Sequence, residues 1–83
     1  MSKQSTWTVS DDFNDAAYKK LGGVLKQLGF KLDSEYDGFE FHHWDFSSSA
    51  GKLVVESDIY TGLTVSGNQP LIDKVKKTYA LAA

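Results

Sequence analysis

The stretch from Phe30 to Phe46, FKLDSEYDGFEFHHWDF, constrains this chain more than any other. Two alternating runs flank Asp37-Gly38, and Asp-Gly in that setting predicts a β-hairpin with a two-residue type I′ turn. Such a turn sets Tyr36 opposite Phe39, Ser34 opposite Phe41, Leu32 opposite His43 and Phe30 opposite Asp45. This mostly apolar set is the predicted core side. Glu35 with Glu40, Asp33 with His42 and Lys31 with Trp44 fall on the other face, toward water or a partner.

The rest of the chain supplies elements to pack against that hairpin. Thr6 to Ser10 alternates and predicts a first strand. Ser10 reads as an N-cap, with Asp11, Asp12 and Asp15 at the positive end of the following helix dipole. From Phe13 to Leu28 the apolar residues trace one helical face, and Gly29 stands where a left-handed C′ residue is wanted. Gly22-Gly23 interrupts that helix away from its apolar stripe, either as tolerated instability or as a close approach for another backbone.

From Leu53 onward, Leu53, Val55, Ile59, Leu63 and Val65 share one parity, as Ser57 and Thr61 do. One long strand bent at Gly62 places them all on the core face. So do two strands joined by a turn at Tyr60-Thr61-Gly62. The bent strand is the reading preferred. Pro70 opens a second helix whose buried stripe is Leu71, Ile72, Val75, Tyr79 and Ala82.

The predicted order is β-α-β-β-β(β)-α, an α+β fold. Its economical packing is a two-layer α/β sandwich, an antiparallel sheet of about four strands with both helices on one face. The 83 residues are expected to make a single small domain, 1–83. There is no cysteine, so disulfides and thiolate metal sites are excluded. The N-terminus lacks an apolar leader and no apolar run reaches spanning length, which predicts a soluble, cytoplasmic protein without membrane contact.

Charge narrows the partner. Between Leu32 and Leu63 the acids Asp33, Glu35, Asp37, Glu40, Asp45, Glu56 and Asp58 face a single cation, Lys52. Every basic residue in the chain is lysine, and without arginine's bidentate contacts direct nucleic-acid binding is not expected. The expected partner-binding set is Asp33, Glu35, Glu40, His42, Trp44, Glu56, Asp58 and Tyr60. Acids steer a basic or mixed protein surface to that face while Trp44 and Tyr60 supply affinity. The same geometry can imitate nucleic-acid phosphates toward a nucleic-acid-binding protein.

His42-His43-Trp44-Asp45 is the one place to seek a metal or a catalytic base. Adjacent strand residues point to opposite faces, so the two histidines cannot share an ion. His42 with Asp33 gives two ligands, one short of a catalytic zinc site. His43 reads as a histidine satisfied by Asp45 or by backbone. Asp33 to Gly38 imitates the start of a calcium loop, but its twelfth position is Trp44. The expectation is therefore a non-enzymatic regulatory or inhibitory binding module with no cofactor and no metal. A homodimeric structural domain is the alternative, and a small metal or enzymatic domain centred on His42 and Asp33 stands behind it.

Overall fold

The computed structural model describes residues 4–11, 15–39 and 41–82. They form β1 (Gln4–Ser10), α1 (Asp15–Gln27), β2 (Lys31–Asp37), β3 (Phe41–Ser48), β4 (Gly51–Asp58), β5 (Gly62–Asn68) and α2 (Gln69–Leu81). The strands pair antiparallel throughout in the order β1-β5-β4-β3-β2, so the sheet has five strands where about four were expected. The two edges are β1 and β2.

The extra strand comes from Leu53–Ser66, which is a hairpin and not one bent strand. Asp58 pairs with Gly62, and Ile59-Tyr60-Thr61 form the loop between them. Gly62 takes φ +77, and a β-carbon there would collide with the Ser10 carbonyl oxygen, so two independent constraints demand glycine. The Asp58 carboxylate accepts from the Tyr60 N–H at 2.7 Å and tightens the turn. Ile59, expected in the core, lies in this loop and is exposed.

The helix ends follow local rules. At the end of α1 the Phe30 N–H donates to the Leu25 carbonyl and the Gly29 N–H to the Lys26 carbonyl, with Gly29 at φ +87. This is the predicted left-handed stop, and it folds Phe30 into the core. At the start of α2 the Asn68 side chain accepts from the Leu71 N–H, with Pro70 in the first turn. Ser10 closes β1 and the described part of α1 opens at Asp15, so the turn that Ser10 is expected to cap lies outside the described residues. Asp12 and Phe13, assigned above to that helix, lie outside the described residues.

One sheet row orders the core. Trp7, Val65, Val55 and Trp44 stand in register across β1, β5, β4 and β3. Tyr79 of α2 meets Trp7 edge-on at 5.4 Å, and Tyr18 of α1 lies 4.9 Å from Trp44. Leu21, Val24 and Leu25 from α1 and Leu71, Ile72 and Val75 from α2 complete the buried cluster with Leu53 and Leu63. Burial of this apolar surface is the main stabilising contribution. Among the described residues no helix is long and apolar enough to cross a membrane.

Candidate functional site

The β2–β3 hairpin reverses two residues later than Asp37-Gly38. The Gly38 N–H donates to the Phe41 carbonyl at 2.7 Å, and Asp37 pairs with His42, Tyr36 with His43, Glu35 with Trp44 and Ser34 with Asp45. No described non-glycine residue has positive φ, so the type I′ turn at Asp37-Gly38 is absent. Nearer α1 the register slips between Leu32 and Ser34, with Asp33 the extra residue of a bulge. A bulge breaks the period of two, so what lies beyond it changes face.

This bulge reverses the face expected for most of the hairpin. Phe30 is buried as predicted, whereas Leu32, paired with Phe46 and so on the same side of the sheet, is 49% exposed on the edge strand. Beyond Asp33, Ser34 and Tyr36 pass to the opposite face together with Phe41, His43 and Asp45. Trp44 goes the other way. It is 4% exposed, lies against Tyr18 and stacks on His42 at 5.5 Å with 9° between the ring planes. Its indole N–H donates to a Glu35 carboxylate oxygen at 2.8 Å, so the polar end of the buried ring is satisfied. Burying Trp44 and Phe46 in place of His43 and Asp45 removes far more apolar surface from water and leaves the charges wet.

The predicted partner-binding set is therefore divided. Trp44, Glu35 and His42 lie on the core side of the sheet, with Trp44 sealed and unable to dock anything. Glu56 and Asp58 lie on the opposite face, as expected. Asp33 occupies the bulge and pairs with nothing in the ladder, so its predicted juxtaposition with His42 is absent. His42 meets Asp37 instead, at 2.9 Å. Tyr60 stands in the β4–β5 turn, 81% exposed. Glu40 lies outside the described residues, and Glu35 is opposed by Trp44 rather than by Glu40.

The face opposite Trp44 carries residues that the sequence placed in the core. His43 is their centre. Its Nε2 lies 3.0 Å from Asp45 and its Nδ1 3.1 Å from Glu56, and the Ser34 hydroxyl donates to Asp45 at 2.6 Å. The expectation that His43 is satisfied by Asp45 holds, although on the other face. The hydrogen bond from Asp45 first, and that from Glu56 second, hold the imidazole above its ordinary pKa, against a smaller opposing effect of burial. Asp45 is held below its ordinary value, first by the Ser34 hydroxyl and then by His43. Tyr18, beneath the sheet, is raised by burial and then by the charges of Glu35 and Asp15.

Rings extend this network toward the turn: Phe41 lies 6.2 Å from His43 and 6.4 Å from Tyr36. Toward β1 the face becomes hydroxylic, with Thr6 and Ser66 hydrogen-bonded at 2.9 Å. None of these side chains is fully buried, whereas Leu53, Val55, Ser57, Leu63 and Val65 on the other face all are.

The network's chemistry is charge presentation. Asp45 and Glu56 sit on different ring nitrogens of His43 and so do not converge on one ion, and no group of three potential ligands occurs among the described residues. Ser34 bonds to the carboxylate and not to the imidazole, so no nucleophile meets a base. The signal that finds this site is in β3 read alone: Trp44 and Phe46 share one parity, while His43 and Asp45 share the other. Comparison with protein-family models, with curated proteins and with solved structures finds no match to this chain.

Proposed function

We propose that the chain is a non-enzymatic, regulatory or inhibitory protein-binding module, a two-layer sandwich with both helices on the Trp44 face. It presents the acidic, aromatic His43 face to a protein with a basic or mixed surface. One observation carries this reading: Tyr36, Phe41 and His43 form a continuous ring row beside Asp45, Glu56 and Asp58, none of them fully buried. Aromatic rings supply contact area at low entropic cost, and carboxylates steer a basic partner toward them. Ordinary solvated sheet faces carry scattered polar residues and not a ring row with acids along it.

The test is affinity capture from the native host with the full chain as bait. A partner retained by the wild type is lost with Tyr36→Ala and with Asp58→Lys. Tyr36→Ala unfolds within about 0.5 kcal/mol of wild type, as surface changes do, and Asp58→Lys, which gives up the bond from the Tyr60 N–H, loses no more than about 1.5 kcal/mol and stays folded. Capture that is indifferent to both substitutions would show that this face is not the docking surface.

A further inference from the structure

Four of the six large apolar side chains exposed among the described residues gather at one end of the sheet. Tyr36 stands near the end of β2 and Phe39 in the β2–β3 turn, while Ile59 and Tyr60 form the β4–β5 turn. The pairs Phe41–Asp58 and Asp58–Gly62 bring these two turns side by side. The exposures are 63% for Tyr36, 59% for Ile59, 81% for Tyr60 and 99% for Phe39. A wholly exposed phenylalanine beside three further large side chains is a concentrated apolar tip, and such patches on small proteins mark interaction sites.

Charge identifies what fits the tip. Asp37 and Asp58 flank it, and the Asp11 backbone packs against Gly62 at the same end. The chain has no lysine or arginine from residue 32 to 51 or from 53 to 73, so both turns lie in stretches without a permanent cation. Lys31 and Lys52 occupy the far end of their strands, in one row with Ser47. An isologous pair of tips would set Asp37 and Asp58 against their own copies, which opposes self-association there. An anionic bilayer is repelled for the same reason.

We infer that the twin-turn tip, with Phe39 and Tyr60 as anchors inside an acidic rim, docks a protein segment that carries lysine or arginine beside apolar side chains. This rests on the reading of the chain as a binding module and names which part of its surface engages, and with what chemistry. The apolar anchors fill a pocket or groove of the partner, and Asp37 and Asp58 meet its basic rim. Such contacts strengthen association chiefly at low salt.

A phage-displayed library of random dodecapeptides, panned on the immobilised full chain, tests this without knowledge of the natural partner. The enriched peptides are expected to pair lysine or arginine with aromatic or aliphatic residues. Synthetic copies should bind at least tenfold more weakly to Phe39→Ser and to Tyr60→Ser, with the thermal midpoints of both variants unchanged. Their affinity should also fall as salt is raised. Failure to enrich any peptide over bare support overturns the inference, as does a consensus without basic residues or an affinity blind to both substitutions. If peptides ignore Phe39 and Tyr60 while Tyr36→Ala and Asp58→Lys abolish capture from the host, the module reading stands and the tip is refuted. Dimerisation in sedimentation velocity that Phe39→Ser abolishes would assign the tip to a second copy. Binding to phosphatidylcholine–phosphatidylserine vesicles, lost in the same variant, would assign it to a membrane.

Discussion

At the scale of single residues, His43 decides how the exposed face responds to pH. Both of its ring nitrogens meet carboxylates, and only the imidazolium can donate to both. Its pKa in the folded state is raised above the ordinary 6.5. The stability it contributes is therefore complete below pH 6.5 and is lost as pH rises through the raised value. Asp45 has the opposite sense, lowered from 3.8, so its contribution is present above that pH and is lost on acidification through the lowered value. The thermal midpoint should therefore be flat between roughly pH 4 and 6.5 and decline on either side. Calorimetry across a pH series checks this, with His43→Gln expected to remove the alkaline decline and keep the acid one. An alkaline decline of equal size in the variant would assign the effect elsewhere.

At the scale of elements, α1 carries a correctable weakness. A β-carbon built on Gly22 or Gly23 meets nothing within 4 Å, so neither glycine admits another part of this chain. Gly22→Ala and Gly23→Ala should each raise unfolding free energy by about 0.5–1 kcal/mol in urea titrations, through helix propensity. Loss of stability in either variant would show that the position has a packing role. Gly62→Ala should cost about 2 kcal/mol or more, because alanine is strained at φ +77 and its methyl meets the Ser10 carbonyl.

Much of this was legible in the sequence where structure is decided locally. The Gly29 stop, Pro70 in the first turn of α2, the α2 stripe, the α1 stripe from Ala17 to Leu28 and the outward set Val54, Glu56 and Asp58 on β4 follow from spacing alone, while Ala16 of the expected α1 stripe is exposed. The β2–β3 hairpin was legible as a hairpin but not in its facing. A single extra residue at Asp33 inverts every position beyond it, and no glycine or proline marks the bulge. The Asp-Gly turn preference is worth little against burial of an indole. Leu53–Ser66 was ambiguous for another reason: both readings keep the same parity, and only the Asp58–Gly62 pairing separates them.

For the whole molecule, the two ends of the sheet differ in charge and the two faces differ in burial. Lys31 and Lys52 lie at one end, and Asp37 and Asp58 lie with the exposed rings at the other. This polarity gives an encounter with a basic partner a preferred direction. Asp58→Lys should slow association with such a partner and flatten its salt dependence, which stopped-flow measurements at two ionic strengths would detect. The face assignment on which this rests makes Trp44 part of the core and Phe39 part of the surface. Equilibrium urea unfolding of Trp44→Ala and Phe39→Ala, followed side by side by circular dichroism, tests it most directly. A domain of this length has about 4–12 kcal/mol of stability. The account predicts a loss of about 3–5 kcal/mol for Trp44→Ala and under about 0.5 kcal/mol for Phe39→Ala. A Trp44→Ala protein as stable as wild type, or a larger loss for Phe39→Ala, would contradict it.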